Sequence, residues 1–291
     1  MKTKLTLLSP QLEAFVAVAT HKSIHSGAKV IHLSQTAMTQ RIHSLESRLG
    51  TTLFIRTRHG VQLTQEGQAL LRYCHTVSDL SGEALAHITG AGTTTTIRIC
   101  ITGPTSIMSS RVIPQCLAVM QKFPQVLMTF DLDDTDHRIN SLRTGTNQFA
   151  ILEPQNVPKE VEIKKLNPEK YLLVCSSLWK NRKLHDIINK ERIIDFDEHD
   201  PMSLNYLKHF NLLKLAKYER IFVNRTEPLA KMIAAGYGYG VLTEEFCKSY
   251  LDNNQLILLN SGKKYVNELV LAWYVRPEPP KYFLSLIKAI N

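Results

Sequence analysis

The sequence predicts an α/β protein in two parts, a small winged helix-turn-helix with a long following helix, then a larger α/β domain. Three observations predict this. The N-terminal region shows helical periodicity in three short blocks followed by two short strand signals. A Thr- and Gly-rich run, Thr89-Gly90-Ala91-Gly92-Thr93-Thr94-Thr95-Thr96, is the one low-complexity stretch and reads as a linker. Beyond it, strand-like and helix-like runs alternate, the pattern of a parallel-sheet α/β fold. A length of 291 residues suits about two domains at the usual ~100–200 residues each.

In the N-terminal part, Ser9-Pro10 opens the first helix. Serine satisfies free N–H groups, and proline is tolerated where its missing N–H would be unpaired anyway. Leu12, Phe15, Val16 and Ala19 then repeat at helical spacing. A break at Lys22-Ser23 leads to a second helix through Ala28 and Val30. Ser34 caps a third, whose Met38, Ile42, Leu45 and Leu49 form an apolar stripe that ends at Gly50. Leu53-Phe54 and Val61-Gln62-Leu63 read as strands around a turn at Arg58-His59-Gly60. Thr64 caps a long helix carrying Leu70, Leu71, Val77, Leu80 and Leu85. After the linker, strands are expected at 97–101, 126–132, 149–152, 171–175, 192–195, 220–223, 240–242 and 268–275. A helix from Ile107 to Phe123 is stopped by Pro124.

Hydrophobic residues make up 44% and charged residues 21%, an ordinary globular balance. The net charge of +9 is unevenly placed: between His21 and His75, seven basic residues face only Glu46 and Glu66. That stretch carries a positive field suited to an anionic partner. The cysteines (74, 100, 116, 175 and 247) are scattered and odd in number, which argues against a disulfide framework or a zinc site and for buried thiols in a reducing compartment. No metal or other cofactor is expected. The apolar start is too short for a signal peptide and no run approaches a membrane span, so a cytoplasmic protein without a membrane partner is expected.

On the third helix, Gln35, Thr36, Thr39, Gln40 and His43 lie away from the apolar stripe. Such side chains can enter a major groove, where glutamine pairs with adenine and threonine meets the thymine methyl. Arg56 and Arg58 beside the wing turn are placed for phosphates. By pattern alone the same face also reads as a solvated polar surface.

The run from Leu12 to Leu71 resembles the DNA-binding domain of the LysR family of transcriptional regulators. The resemblance rests on Phe15, Ser23, Ala28, Leu33, Ser34-Gln35, Ala37, Ile42, Leu45-Glu46, Leu49-Gly50, Leu53-Phe54, Arg56, Leu63-Thr64, Gly67 and Leu70-Leu71. Two positions depart: Gly27 where the family usually has Ala, lowering helix propensity by up to ~1 kcal/mol, and Thr39 where it usually has Ser. The resemblance implies a winged helix-turn-helix at residues 7–63, a dimerising linker helix at 64–89, a flexible linker at 90–96 and an effector-binding domain at 97–291. That last domain is expected to be a two-subdomain α/β unit like periplasmic binding proteins, the first subdomain 97–166 plus 267–291 and the second 167–266. The chain would cross between them near Asn167-Pro168 and Tyr265-Val266. The implied partners are double-stranded DNA with a near-palindromic operator, a small-molecule effector, a second copy in a homodimer or homotetramer, and RNA polymerase.

Ligands of α/β sheets sit at strand carboxyl ends. This selects Thr102, Gly103, Pro104, Thr105 and Ser106 after the first strand, with Asp134, and Asn224, Arg225 and Thr226 before a later helix. Both loops also read as ordinary helix starts. Thr39-Gln40-Arg41-Ile42, the run Ile194 to Met202, Val223-Asn224 and Leu271-Ala272-Trp273-Tyr274 resemble the family's lysine- and arginine-sensing regulators of basic amino acid export. Asp131, Asp133, Asp134, Asp195 and Asp197 could face a cation or be solvated surface. Arg225 departs from that subgroup, which has a small polar residue there. An enzyme is disfavoured. Gly236-Tyr237-Gly238-Tyr239-Gly240 looks like a phosphate loop but follows a helix and precedes a strand, the reverse of the needed order. No hydrolase, metalloprotease or nucleotide motif appears. An architectural DNA binder would not need the α/β half, and a protein-binding winged domain would not need the basic stripe.

Overall fold

The computed structural model describes residues 8–58, 60–88, 96–133, 137–276 and 278–291, without the side chains of 79 and 82–88. The Thr- and Gly-rich run at 89–95 and the turn residue His59 lie outside the described residues.

The N-terminal unit comprises α1 (Pro10–His21), α2 (Ile24–Val30), α3 (Gln35–Leu49), β1 (Phe54–Thr57) and β2 (Gly60–Leu63). Each helix starts as its sequence dictates. The Ser9, Ser23 and Ser34 hydroxyls accept from the N–H groups of Leu12, Ser26 and Ala37. Gly50 ends α3 in the left-handed conformation. Phe15, Val18, Ala28, Met38, Ile42 and Leu45 form the core, closed by Leu53 and by Phe54 with its ring 5.2 Å from that of Phe15. Leu49 does not continue the buried stripe. It is 49% exposed, as the last residue of α3 before the Gly50 cap. At Gly27, α2 lies so close to α1 that a Cβ would stand 3.0 Å from the Ala17 and Val18 backbone.

The long helix α4 (Gln65–Ile88) begins under the Thr64 hydroxyl, which accepts from the Gly67 N–H, and by its 24 residues is about 36 Å long. Leu71 and Cys74 pack into the winged core, whereas Tyr73 and Leu80 are 56% and 59% exposed.

Two sheets follow. The first holds β3 (Ile97–Gly103), β4 (Val126–Leu132), β5 (Phe149–Leu152), β6 (Val161–Lys165) and β13 (Val270–Tyr274), in the order β4-β3-β5-β13-β6. The second holds β7 (Glu169–Ser176), β8 (Ile193–Asp195), β9 (Arg220–Phe222), β10 (Tyr239–Thr243) and β11 (Leu256–Leu258), in the order β11-β7-β10-β8-β9, with β12 (Lys264–Asn267) also on β7. Helices cover both. In the first unit they are the short α5 (Thr105–Ile107), α6 (Ile113–Lys122), α7 (His137–Thr144) and α12 (Lys281–Ala289). In the second they are α8 (Leu184–Lys190), α9 (Met202–His209), α10 (Thr226–Ala234) and α11 (Glu244–Asp252).

The sheets are mixed rather than parallel. β13 runs antiparallel to β5 and β6, and β7 antiparallel to β10, β11 and β12. The alternation rule fails here because β7 and β13 enter their sheets from the other sheet, not from a covering helix. Three strands, β6, β11 and β12, fall outside the expected set: β6 and β12 are partly exposed and carry lysines, and β11 is an apolar run of only three residues. Tyr265 and Val266 lie within β12, paired with Tyr171 and Lys170, so the chain leaves the second sheet only after Asn267. The expected helix from Ile107 to Phe123 is broken into α5, a π-turn at Met108–Val112 and α6. Pro114, in the first turn of α6, has no N–H to close an ordinary helical bond, which favours the wider turn. Both faces of each sheet are packed, so Phe149–Leu152 is buried throughout.

A Cβ on Gly67 would stand 2.2 Å from the Leu53 carbonyl oxygen, which already accepts the Thr64 N–H. Gly67→Ala is therefore expected to prise α4 from the wing and cost about 1–3 kcal/mol, read as a lower midpoint in urea unfolding of the full chain. An unchanged midpoint would contradict the close approach.

Candidate nucleic-acid interface and effector cleft

Burial of Met38, Ile42 and Leu45 turns Gln35, Thr36, Thr39, Gln40 and His43 outward, and all five are exposed along one side of α3. The Gln35 amide lies 2.7 Å from Nδ1 of His25 on α2, so its position is set by a second helix. The Thr39 hydroxyl donates to the Gln35 carbonyl, and His43 Nδ1 stands 3.2 Å from the Ser47 hydroxyl. Arg41 donates to the Pro10 carbonyl and ties α3 to α1. Arg56 on β1 and Arg58 in the turn are exposed and form no ion pair among the described residues. His25 escaped the sequence reading because its partner is ten residues away on another helix.

In the α/β region the strand directions decide where a ligand can sit. Tyr171, near the start of β7, pairs with Thr243 at the end of β10, and Val270 at the start of β13 pairs with Lys165 at the end of β6. The carboxyl ends of β3, β5, β8, β9 and β10 thus lie at the edge of their sheets where the chain crosses. The crossings are short, 166–168 and 268–269, and they are bonded to each other by Leu166 N–H to Leu269 O at 3.0 Å.

Thr102 and Gly103 are buried at the end of β3, and the Thr102 hydroxyl has no hydrogen-bond partner among the described residues. Pro104 stands before α5 and provides no side-chain cap. Thr105 opens that helix, and the Ser106 hydroxyl donates at 2.9 Å to Glu169, the first residue of β7 in the other subdomain. Glu169 is 1% exposed and also accepts from the Tyr171 hydroxyl at 3.0 Å. Burial pushes its pKa up, against the pull of the Ser106, Tyr171 and Asn267 hydrogen bonds and of Arg111. Arg111, on the π-turn, donates to the carbonyls of Asn167 and Pro168 and pairs with Glu245 at the start of α11.

The second predicted loop is less enclosed. Asn224 and Arg225 are exposed, Thr226 begins α10, and the Arg225 guanidinium donates to the Asn224 carbonyl. This loop follows β9, an edge strand three positions from β7, about 14 Å by strand spacing.

The acidic candidates have other partners. Asp195 is paired with Arg220 at 2.6 Å. Asp197 accepts the N–H groups of His199 and Asp200, shaping a turn. Asp131 accepts from Asn147. Asp133 is anchored through its N–H to the Gly103 carbonyl, and Asp134 lies outside the described residues. Burial holds the Tyr171 pKa well above its usual value, and Glu169, to which its hydroxyl donates, and the charges of Asp200 and Glu153 add to it. Those residues come from three separate segments, so no sequence spacing announces them.

Burial raises the Asp200 pKa to about 6, although its carboxylate accepts the Met202 N–H. The folded state therefore binds this proton more tightly than the unfolded chain, and stability falls as pH rises from about 4 to about 6. Asp200→Asn keeps the acceptor oxygen. It is expected to remove that slope and raise stability at pH 7.5 by about 1–3 kcal/mol, measured by urea unfolding across pH. An unaltered slope would assign the pH dependence elsewhere.

The fold and these two surfaces define a class, a winged helix-turn-helix regulator with a two-subdomain α/β binding unit. The comparisons agree. Residues 10–68 match the model of the bacterial regulatory helix-turn-helix protein, lysR family, and residues 91–291 match the LysR substrate binding domain. The chain belongs to the LysR family of DNA-binding transcriptional regulators, which are not enzymes. A probable RuBisCO transcriptional regulator of Trieres chinensis is 27% identical over 77% of this chain, which spans 66% of that relative. LysG of Mycobacterium bovis is 26% identical over 85% of this chain and 82% of its own length. The crystal structure of ArgP from Mycobacterium tuberculosis superposes with TM-score 0.79 at 24% identity, covering 98% of this chain and 97% of that one. Full-length LysG of Corynebacterium glutamicum with bound effector Arg gives TM-score 0.75 at 19% identity, covering 97% and 96%. Gly236 to Gly238 lie in the helix-to-strand connection between α10 and β10, and Tyr239 and Gly240 open β10, as their order in the chain indicated.

Proposed function

We propose that this regulator binds a basic amino acid, arginine or lysine, in the cleft between its α/β subdomains and transmits that binding to an operator held by two or more copies. The observation that carries the reading is the buried carboxyl of Glu169, which accepts from Ser106 of one subdomain at 2.9 Å and from Tyr171 of the other at 3.0 Å, with the charges of Asp200 and Glu153 felt at the same tyrosine. A cationic ligand there would offset the burial that raises the Glu169 and Asp200 pKa values, while Glu153 already stands 3.9 Å from Arg138. The Thr102 hydroxyl, unpaired among the described residues, offers one further polar contact beside it. Effector recognition by Thr102–Ser106 and Asn224–Thr226 is part of the same proposal. Within the second loop the exposed Arg225 would face the ligand's carboxylate, not its cationic side chain. The arginine bound to the Corynebacterium LysG supports the same ligand class.

On the DNA side, Gln35, Thr36, Thr39, Gln40 and His43 read base edges, while Arg56 and Arg58 hold phosphates. The exposed Tyr73 and Leu80 of α4 suit pairing with the same helix of a second copy, setting two recognition helices on a near-palindrome. Ligand binding then alters the angle between subdomains and so the spacing of copies, the DNA bend and the contact to polymerase. The ligand must bind one arrangement more tightly than another for this coupling to exist.

Calorimetry is expected to show arginine or lysine binding to the full chain, with glutamate inert and Asp200→Asn weakening the basic ligand at least tenfold. Equal binding of glutamate would sink the basic-effector reading. For DNA, Gln35→Ala is expected to cost about 1–3 kcal/mol on the cognate site and little on random sequence. Arg58→Ala is expected to weaken both and flatten the salt dependence. Equal losses for Gln35→Ala on both DNAs would remove it from base reading. The operator itself comes from sequencing genomic fragments retained by the protein with and without arginine. Flat, salt-sensitive recovery would contradict sequence-specific regulation.

A further inference from the structure

Outside the cleft, a cavity of about 650 Å³ opens where α4 meets the first subdomain, within the range of small-molecule sites. Its existence follows from a clamp beside it. Gly145, at the end of α7, has φ +73°, and a Cβ there would stand 3.0 Å from Arg72 Cα, so the two elements touch backbone to backbone. Arg72 donates at 2.7 Å to the Arg143 carbonyl, and its guanidinium lies 3.6 Å over the Tyr274 ring. α4 is thus pinned at one point to the turn after α7 and to the end of β13.

Around the pin, the cavity is walled by Leu142, Tyr274 and Tyr282, giving an apolar body, with the exposed Tyr73 and Leu80 of α4 at the edge that a second copy would share. Two half-buried arginines line it: Arg72, and Arg276, whose guanidinium lies 4.5 Å over the ring of the core residue Phe283 and forms no ion pair among the described residues. Stacking on a ring fixes each fork while leaving edge N–H groups able to meet a planar anion. Two acids also line the cavity, the exposed Glu160 and Glu278; Glu160 acts on the Tyr274 hydroxyl, and water screens both more than it screens the half-buried arginines. His75 also lines the cavity, and burial lowers its pKa, which keeps it neutral near pH 7.

We propose that this cavity is a second small-molecule site, separate from the effector cleft, that takes a carboxylate with an aromatic or short aliphatic body. The carboxylate meets the guanidinium groups of Arg276 and Arg72, and the body lies among the tyrosines. A ligand so placed touches the linker helix and the effector domain at once. It therefore favours the arrangement in which α4 is clamped, and couples to DNA affinity without touching the cleft.

The test is calorimetry on the full chain with benzoate, and with benzamide as a neutral control of nearly the same shape. Benzoate is expected to bind at one site per chain, with benzamide at least tenfold weaker. Arg276→Gln is expected to lower benzoate affinity at least tenfold, and Ala69→Trp, which fills the cavity from α4, to abolish binding. Asp200→Asn, in the cleft, is expected to leave benzoate within twofold. These readings do not depend on arginine being the effector. No benzoate binding up to millimolar concentration, equal binding of benzamide, binding indifferent to Arg276→Gln, or loss on Asp200→Asn would each overturn the proposal. If Ala69→Trp does not fold, the Arg276→Gln and benzamide comparisons still decide it.

Discussion

The double crossing between the two sheets is the constraint on which the rest of the effector region depends. Only residues 166–168 and 268–269 join the subdomains, and backbone polar groups at such a junction must find partners. Leu166 and Leu269 bond to each other, and Arg111 satisfies the carbonyls of Asn167 and Pro168. Glu169 stands at the foot of this junction, held chiefly by hydroxyls and an amide, with the Arg111 charge a smaller influence. Because β7 and β13 enter their sheets in the reverse direction, the strand carboxyl ends of both sheets are brought to this junction. The cleft lies beside the crossing for that reason.

The same junction would carry a change of angle between the subdomains to the rest of the chain. Ser106 and Arg111 belong to one subdomain and reach Glu169 and Glu245 of the other. Any change in the angle between subdomains must lengthen or re-form these contacts. At the far side of the first subdomain, Arg72 and Gly145 hold α4, the helix that continues the winged unit. The contacts form a chain from cleft to DNA surface, but contiguity alone is not coupling, which requires two arrangements with different ligand affinity.

Much of the N-terminal unit is legible because its signals are local. A serine before each helix, a glycine after α3 and an apolar stripe of period 3.6 act over four or five residues, and no distant contact competes with them. The outward face of α3 follows from the same stripe. Leu49 departs from it as the last residue of α3, where exposure depends on what packs alongside, which periodicity cannot report. The placement of Gln35 by His25 is equally tertiary.

The N-terminal run from Leu12 to Leu71 by itself determined the family, and in the α/β region the chain determined the alternation of strands and helices and the strands with long apolar runs, since those depend on residue type and spacing. Only the tertiary structure decided that the sheets are mixed, that β6, β11 and β12 pair at all, and that Asp195 and Asp197 serve the fold while the charges of Glu153, Glu169 and Asp200 are felt at one tyrosine. Strand direction is set by which sheet a segment returns to, and a carboxylate's role by the partner that folding brings to it. Both are contacts between residues far apart in the chain, and no local pattern encodes them.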